Sequence, residues 1–328
     1  MALSLRRGRV TAVVERVEGL TRVEVDGVPC VAYPELTGPV ALDDDVLVNA
    51  QARELGLGSG GFDVLYANLT RGIGLRATPR AHVMKLPYTP LQFAVRHAEE
   101  DGSGAERLDG MPVVVCSLHS QLAPVCAALR DVRLVYVQIP GGALPLRLSD
   151  TVRVLRERAL IEATVSAGPC FGGDRECVSV YSALTWAKGS GASVVVCGLG
   201  PGIVGTGSRF GHGAMAAAEA LNVVSDLGGE PVLALRVSEA DPRSRHRGLS
   251  HHTDAIVSLW GPPTVHPWPK GCPIDHPLAE GADVVDVDDW RDECSDLPLS
   301  HMGRGPDQDP WFFAAAFAAG RLARSLVR

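Results

Sequence analysis

MPVVVCSLHSQLAPVCAALRDVRLVYVQIPGG, residues 111–142, holds two short apolar runs, MPVVVCSL and RLVYVQI, on either side of a segment that reads as a helix near 120–130. Runs that are apolar throughout, rather than alternating, mark strands of a parallel sheet covered by helices on both faces. The unit recurs downstream. RLVYVQI (133–139) leads to a helix near 149–159, IEATVSA (161–167) to one near 175–188, and ASVVVCG (192–198) to one near 213–227, with PVLALRVS (231–238) following. DAIVSLW (254–260) is too short to decide between helix and strand. GPPTVHPWPKGCPIDHPL (261–278) reads as a proline-rich loop. A last helix starts with Asp309 as N-cap and Pro310 in its first turn, and its alanines with Gly320 allow another backbone to approach closely.

Upstream the pattern is β. RVTAVVERVEGLTRVEVDGVPCVAY (9–33) is rich in valine, and Asp26-Gly27 is a hairpin turn signal. DVLVNA (45–50) adds a strand, and Gly56, Gly58, Gly60 and Gly61 mark a flexible loop. The expected fold class is therefore α/β: a mostly parallel, doubly wound, Rossmann-like sheet over 80–328, with a small N-terminal all-β barrel or sandwich domain over 1–75.

Composition narrows the function classes. With 46% apolar and 21% charged residues in 328, the chain is globular rather than disordered. A net charge of -7 argues against a nucleic-acid partner, since such proteins carry a basic domain or stripe. Only Lys85, Lys188 and Lys270 of the 31 basic residues are lysines, so an anion site here would be built from arginine. The start, MALSLRRGRVTAVVERV, has no apolar signal region, and WFFAAAFAA (311–319) falls well short of the ~20 residues of a membrane span. Eight cysteines without a CxxC pair fit free thiols in a reducing cytosol. A cytoplasmic location without a membrane partner is expected.

The 36 glycines are the informative excess. Ligands of open parallel sheets bind beyond the carboxyl ends of the strands, and there the glycines and polar groups gather. The five strand ends run into SLHSQ with His119, into Pro140-Gly141-Gly142, into AGPCFGGDRE with Gly172, Gly173 and Asp174, into GLGPGIVGTGSRFGHG, and into EADPRSRHRGLSHHTD. Gly200, Gly202 and Gly205 form a formal GxGxxG. The acidic residue that a dinucleotide site needs about 20 positions on is missing, because Glu239 and Asp241 come nearly 40 positions later. Without a GK[ST] ending it is not a Walker loop either. A cradle for phosphate or carboxylate fits better, with Gly200, Gly202, Gly205 and Gly207 supplying backbone donors and Arg209 charge.

The fifth loop is densest in chemistry. Arg245 and Arg247 suit a substrate anion, with His246, His251 or His252 moving protons near neutral pH. A metal site from His246 and His251 with Asp174 or His119 is the competing assignment. Against it, the arginines repel a cation and adjacent His251 and His252 side chains diverge. Arg304 can reach the same rim. Cys170, in the third loop, is a candidate reactive thiol with little else in support.

The block GPGIVGTGSRFGHG followed by EALNVVSDLGGEPVLALRVSEADPRSRHRGLSHHT resembles the hallmark of an uncharacterised bacterial domain-of-unknown-function family of about this length. The resemblance extends to ELGLGSGGFDV, FGGDRE and MGRGPDQDP, and it implies no activity or cofactor. The expectation from the residues is an enzyme that binds a small anionic, phosphate- or carboxylate-bearing metabolite at the sheet rim, with hydrolase or transferase chemistry. The alternative is a non-catalytic metabolite-binding or structural oligomeric protein.

Overall fold

The computed structural model describes residues 3–56, 61–72, 74–75, 77–102, 104–260 and 266–327. Gly58 and Gly60 of the expected flexible loop, and 261–265 of the proline-rich loop, lie outside the described residues. The chain divides into two compact units, 1–96 and 97–328.

The first unit is a closed barrel. Its strands are β1 (Leu5–Val17), β2 (Leu20–Val25), β3 (Val28–Ala32), β4 (Asp45–Asn49) and β5 (Asp63–Asn68), closing in the order β1-β2-β3-β5-β4. β1 is long enough to pair with both β2 and β4, and register shifts at Val10/Ala12 and Val13/Glu15 bend it around the closure. Asp26 (φ 52) and Gly27 (φ 77) supply the two left-handed residues of the β2–β3 hairpin. Inward positions of the alternating strands (Val10, Val23, Val25, Val46, Val48, Leu65) make one small core. Helical turns α1 (Pro34–Thr37) and α2 (Gln51–Glu54) and a hairpin of β6 (Val83–Lys85) and β7 (Phe93–Val95) complete this unit.

The second unit is built on six parallel strands: β8 (Pro112–Cys116), β9 (Leu134–Ile139), β10 (Ala163–Ala167), β11 (Arg175–Cys177), β12 (Val194–Leu199) and β13 (Glu230–Ala234). Successive side chains of each strand enter opposite cores. Val114, Cys116, Tyr136 and Val196 pack with α3 (Leu122–Ala128) and α4 (Asp150–Glu157). Val113, Val115, Val137 and Cys197 pack with α5 (Val180–Gly189), α6 (Met215–Asp226) and α7 (His251–Leu259). The short α8 (Trp290–Glu293) and the long α9 (Pro310–Leu326) lie on the α3 face. Among the described residues no helix is long and apolar enough to cross a membrane.

This architecture corrects the expected fold class. The sheet order is β11-β10-β9-β12-β8-β13, whereas a Rossmann-like sheet runs 3-2-1-4-5-6 in chain order. Here β12 is inserted between β9 and β8, pairing with both over its buried valines. β11 is reached from β10 by a loop rather than a helix, so the sheet is not evenly wound. In place of a Rossmann-like sheet with a small β domain, the chain forms a closed five-stranded barrel and a separate all-parallel six-stranded sheet. The apolar runs show which segments are strands, but each is so uniformly apolar that it carries no signal of its neighbour.

Local readings shift too. Arg175–Cys177 is strand rather than the start of a helix, and α5 begins after Ser179, whose hydroxyl accepts from the Ser182 amide. The run 231–238 breaks after Ala234. Its end forms β14 (Val237–Ser238), which pairs with β15 (Gly248–Leu249) and ties off the loop between them. β16 (Pro267–Pro269) and β17 (Asp283–Val285) form a parallel pair where loop was expected. Residues 254–259 are helical, within α7. Asp309 precedes α9, but its side chain makes no cap bond. It accepts instead from Ser238 Oγ at 2.7 Å and Arg304 Nε at 3.1 Å.

Candidate functional site

The loop after β12 owes its shape to close backbone contacts. A Cβ on Gly200 would sit 2.1 Å from the Ala143 carbonyl oxygen, one on Gly142 2.2 Å from that of Gly200, and one on Gly213 1.9 Å from that of Gly141. Hydrogen bonds Ala143 N to Pro201 O (2.8 Å), Val204 N to Gly141 O (3.1 Å) and Gly213 N to Val204 O (2.7 Å) lock the loop against the β9 end. Gly205 and His212 then form a bridge, and a Cβ on Gly205 would meet that of His212 at 2.8 Å. Gly202 takes a left-handed turn at φ 72, and Gly207 has open space around it. Of the four expected cradle glycines, two therefore serve close packing and one a turn. The result is a small hairpin whose base presents His212 and whose tip carries exposed Arg209, with its guanidinium carbon 4.9 Å from the Phe210 ring.

His212, which no sequence motif marks as a site residue, completes an imidazole cluster. Its ring stacks on His252 at 3.8 Å and lies 5.5 Å from His251. His246, from the 3-10 turn Ser244–His246, lies 4.8 Å from His251 and 4.9 Å from His252. His251 and His252 open α7, where Ser250 Oγ accepts from the His252 amide and bonds His246 Nδ1 at 2.7 Å. Their rings do not diverge as expected but stand 4.5 Å apart. Both converge on His212, with one ligand atom from each of the three within 4.8 Å of the others.

Beneath the rings lies a buried ionic network. Arg236 Nη1 is 3.1 Å from His252 Nδ1, and Arg236 Nη2 is 3.4 Å from Asp241. Asp241 also accepts Arg243 through both carboxylate oxygens at 2.9 Å, and Arg304 at 3.4 Å. Arg304 does reach the fifth loop, and its charge serves Asp241 and Asp309. The imidazoles are held neutral. Burial first, then the Arg236 and Arg243 charges, pushes His246 down to about 3. Burial, His212 and Arg236 push His252 down to about 2. His212 is lowered by burial, and His251 by burial, His212 and then Arg245.

The other expected site residues lie elsewhere. Asp174 accepts Arg156 Nη1 at 2.6 Å together with the Thr164 amide and hydroxyl, fastening the start of β10. The Gly172 amide donates to Glu176 and that of Gly173 to Ser166 Oγ. His119 is bonded to the Leu199 carbonyl at 3.0 Å and Ser149 Oγ at 2.8 Å, joining the end of β12 to the cap of α4. Neither Asp174 nor His119 shares a hydrogen bond or ring contact with the imidazole cluster. Cys170 is fully buried, the wrong setting for a reactive thiolate. Arg245 and Arg247 flank the cluster, both exposed.

The family described as "Protein of unknown function (DUF3866)" matches residues 29–270. The chain belongs to the DUF3866 family. The resemblance carried by the loop sequences is thereby shown at the level of the family. Among curated proteins, none matches the chain. The DUF3866 match takes in all four imidazoles and Arg209, Arg236, Arg243, Arg245 and Arg247, whereas Arg304, Asp309 and α9 lie beyond it.

Two residues of the DUF3866 site escaped the sequence reading. His212 lies in GTGSRFGHG, where nothing local marks it as the partner of histidines nearly 40 residues on. Arg236 lay inside an apolar strand-like run, and only the strand break after Ala234 turns it under the rings. Neutral imidazoles in this setting can accept a hydrogen bond or ligate a cation, whereas burial and the neighbouring arginine charges oppose their taking up a proton. They cannot serve as charged acids near neutral pH.

Proposed function

We propose that this DUF3866 chain is an enzyme that binds a small anionic metabolite, bearing phosphate or carboxylate, over the imidazole cluster, with hydrolase or transferase chemistry. One contrast carries the reading. Arg236, Arg243 and Arg304 are each paired with Asp241 or Asp309. Arg209, Arg245 and Arg247 have no carboxylate partner among the described residues, and Arg247 makes a single contact, Nε to the Asp241 carbonyl at 3.4 Å. Arg245 bears on the charge of His251, and Arg209 on that of Asp254 in the first turn of α7. Guanidiniums without a carboxylate, on the loops that carry the neutral imidazoles, favour a planar or tetrahedral oxyanion. The net charge of -7 supports a small-molecule rather than a nucleic-acid partner. The eight cysteines, none of them in a CxxC pair, support a reducing, cytoplasmic compartment.

Isothermal titration of the full chain with inorganic phosphate, pyrophosphate and malonate tests the reading. Binding of at least one of them is expected, weakened about tenfold or more in Arg209→Gln/Arg245→Gln. No binding at tens of millimolar, or equal binding by the double variant, would overturn it.

A further inference from the structure

We infer that His212, His251 and His252 form a site for a divalent transition ion of the zinc type, open on the side of the exposed arginines. That it also anchors the anion rests on the reading above; that it binds metal does not.

Three observations converge. One ligand atom from each imidazole lies within 4.8 Å of the other two. A tetrahedral ion with nitrogens at about 2.0–2.1 Å holds them about 3.4 Å apart, so modest side-chain rotations close the site. Next, His212 Nδ1 and His251 Nε2 are buried with no hydrogen-bond partner. Nearly all buried nitrogens have one, so two orphans aimed into one cluster point to a missing partner. The third is the tautomer of His212. Its Nε2 is 2.9 Å from the Arg209 carbonyl oxygen, which only accepts, so Nε2 carries the proton and Nδ1 presents a lone pair. A backbone carbonyl on the far nitrogen is the usual support of a metal-bound imidazole.

Imidazole ligands suit zinc, copper, nickel and iron rather than magnesium or calcium. Three protein ligands leave a fourth position for water or a substrate oxygen. The positive surroundings set a condition on the ion. Arg236 and Arg243 are partly neutralised by Asp241, and the Arg236 fork must leave His252 Nδ1 and settle on Asp241 when His252 ligates. Arg209, Arg245 and Arg247 remain positive beside the ion, so an anion in the fourth position offsets both charges.

The test is titration of the full-length, chelator-treated chain with Co²⁺, followed by visible absorption and by competition with Zn²⁺. One Co²⁺ per chain with an intense four-coordinate spectrum is expected, with binding weakened more than about 100-fold in His212→Ala and in His251→Ala. Both variants are checked for native circular dichroism, and the half-buried His251 serves if His212→Ala fails to fold. Arg209→Gln/Arg245→Gln should keep or gain Co²⁺ affinity, because it removes two positive charges near the ion. No Co²⁺ or Zn²⁺ binding by the wild-type chain, or unchanged binding in both folded histidine variants, would overturn the site. Phosphate binding without metal would sink this inference and spare the proposed function; metal binding without any anion would do the reverse.

Discussion

Gly213 and Gly207 sit six residues apart in one loop and answer to different forces. At Gly213 the Cβ direction is filled by the Gly141 carbonyl oxygen at 1.9 Å, a backbone atom that cannot rotate away. Gly207 has nothing within 4 Å of that position. Gly213→Ala should therefore cost roughly 1–3 kcal/mol of unfolding free energy, the usual range for overpacking. Gly207→Ala should stay within about 0.5 kcal/mol of the wild type. Urea unfolding of the two variants measures this, and equal midpoints would show that the loops after β9 and β12 do not meet as described. The same logic separates the arginines. Arg243 is bound to Asp241 by two hydrogen bonds at 2.9 Å, while Arg209 is bound to no carboxylate among the described residues. In sequence both are simply arginines in polar loops.

At the scale of elements, α9 is the clearest success of local reading. Pro310 stands at its start and Gly320 inside it, as the residue pattern indicated. A Cβ on Gly320 would meet the Val125 carbonyl oxygen at 2.4 Å and the Ala128 Cβ at 2.8 Å, so α3 and α9 are in backbone contact there. Gly320→Ala gains helix propensity of about 1 kcal/mol, yet it must push the helices apart. We expect net destabilisation, read as a lower thermal midpoint, and a raised midpoint would mean that the pair relaxes freely. β11 and the β14–β15 pair were illegible by contrast. Two or three residues are too few to show a period, and their pairing partners lie up to a dozen residues away. α7 was ambiguous for a related reason: its apolar run is short, and the capping serine that fixes its start, Ser250, also holds His246.

The whole molecule is fastened by arginine–carboxylate pairs in both units. Burial works to raise Asp44, Asp174 and Asp241, but the bonds they accept outweigh it: from Arg71, Asn68 and the Ala41 amide, from Arg156 and Thr164, and from Arg243 and Arg236 respectively. All three are thus lowered in the folded state. A carboxylate lowered on folding adds stability that is complete above its unfolded value and is lost as pH falls through the folded one. Stability should hold at neutral pH and fall progressively from about pH 5 towards pH 2. Urea midpoints across that window check it, and Asp44→Asn should flatten the acid limb for the barrel. A profile rising towards acid would contradict these pairings. Much of the molecule was legible in the chain: the apolar runs of β8, β9, β10, β12 and β13, the Asp26-Gly27 hairpin, the start of α9 at Pro310, and the placing of glycines and polar residues at the strand ends. Those depend on neighbours a few residues apart, where periodicity, turn chemistry and capping act. Tertiary structure alone decided that β12 lies between β9 and β8 and that the first strands close into a barrel. It also decided that His212 meets His251 and His252 across nearly 40 residues of chain. Packing of uniformly apolar strands and of facing loops sets those distances, and no local residue pattern encodes them.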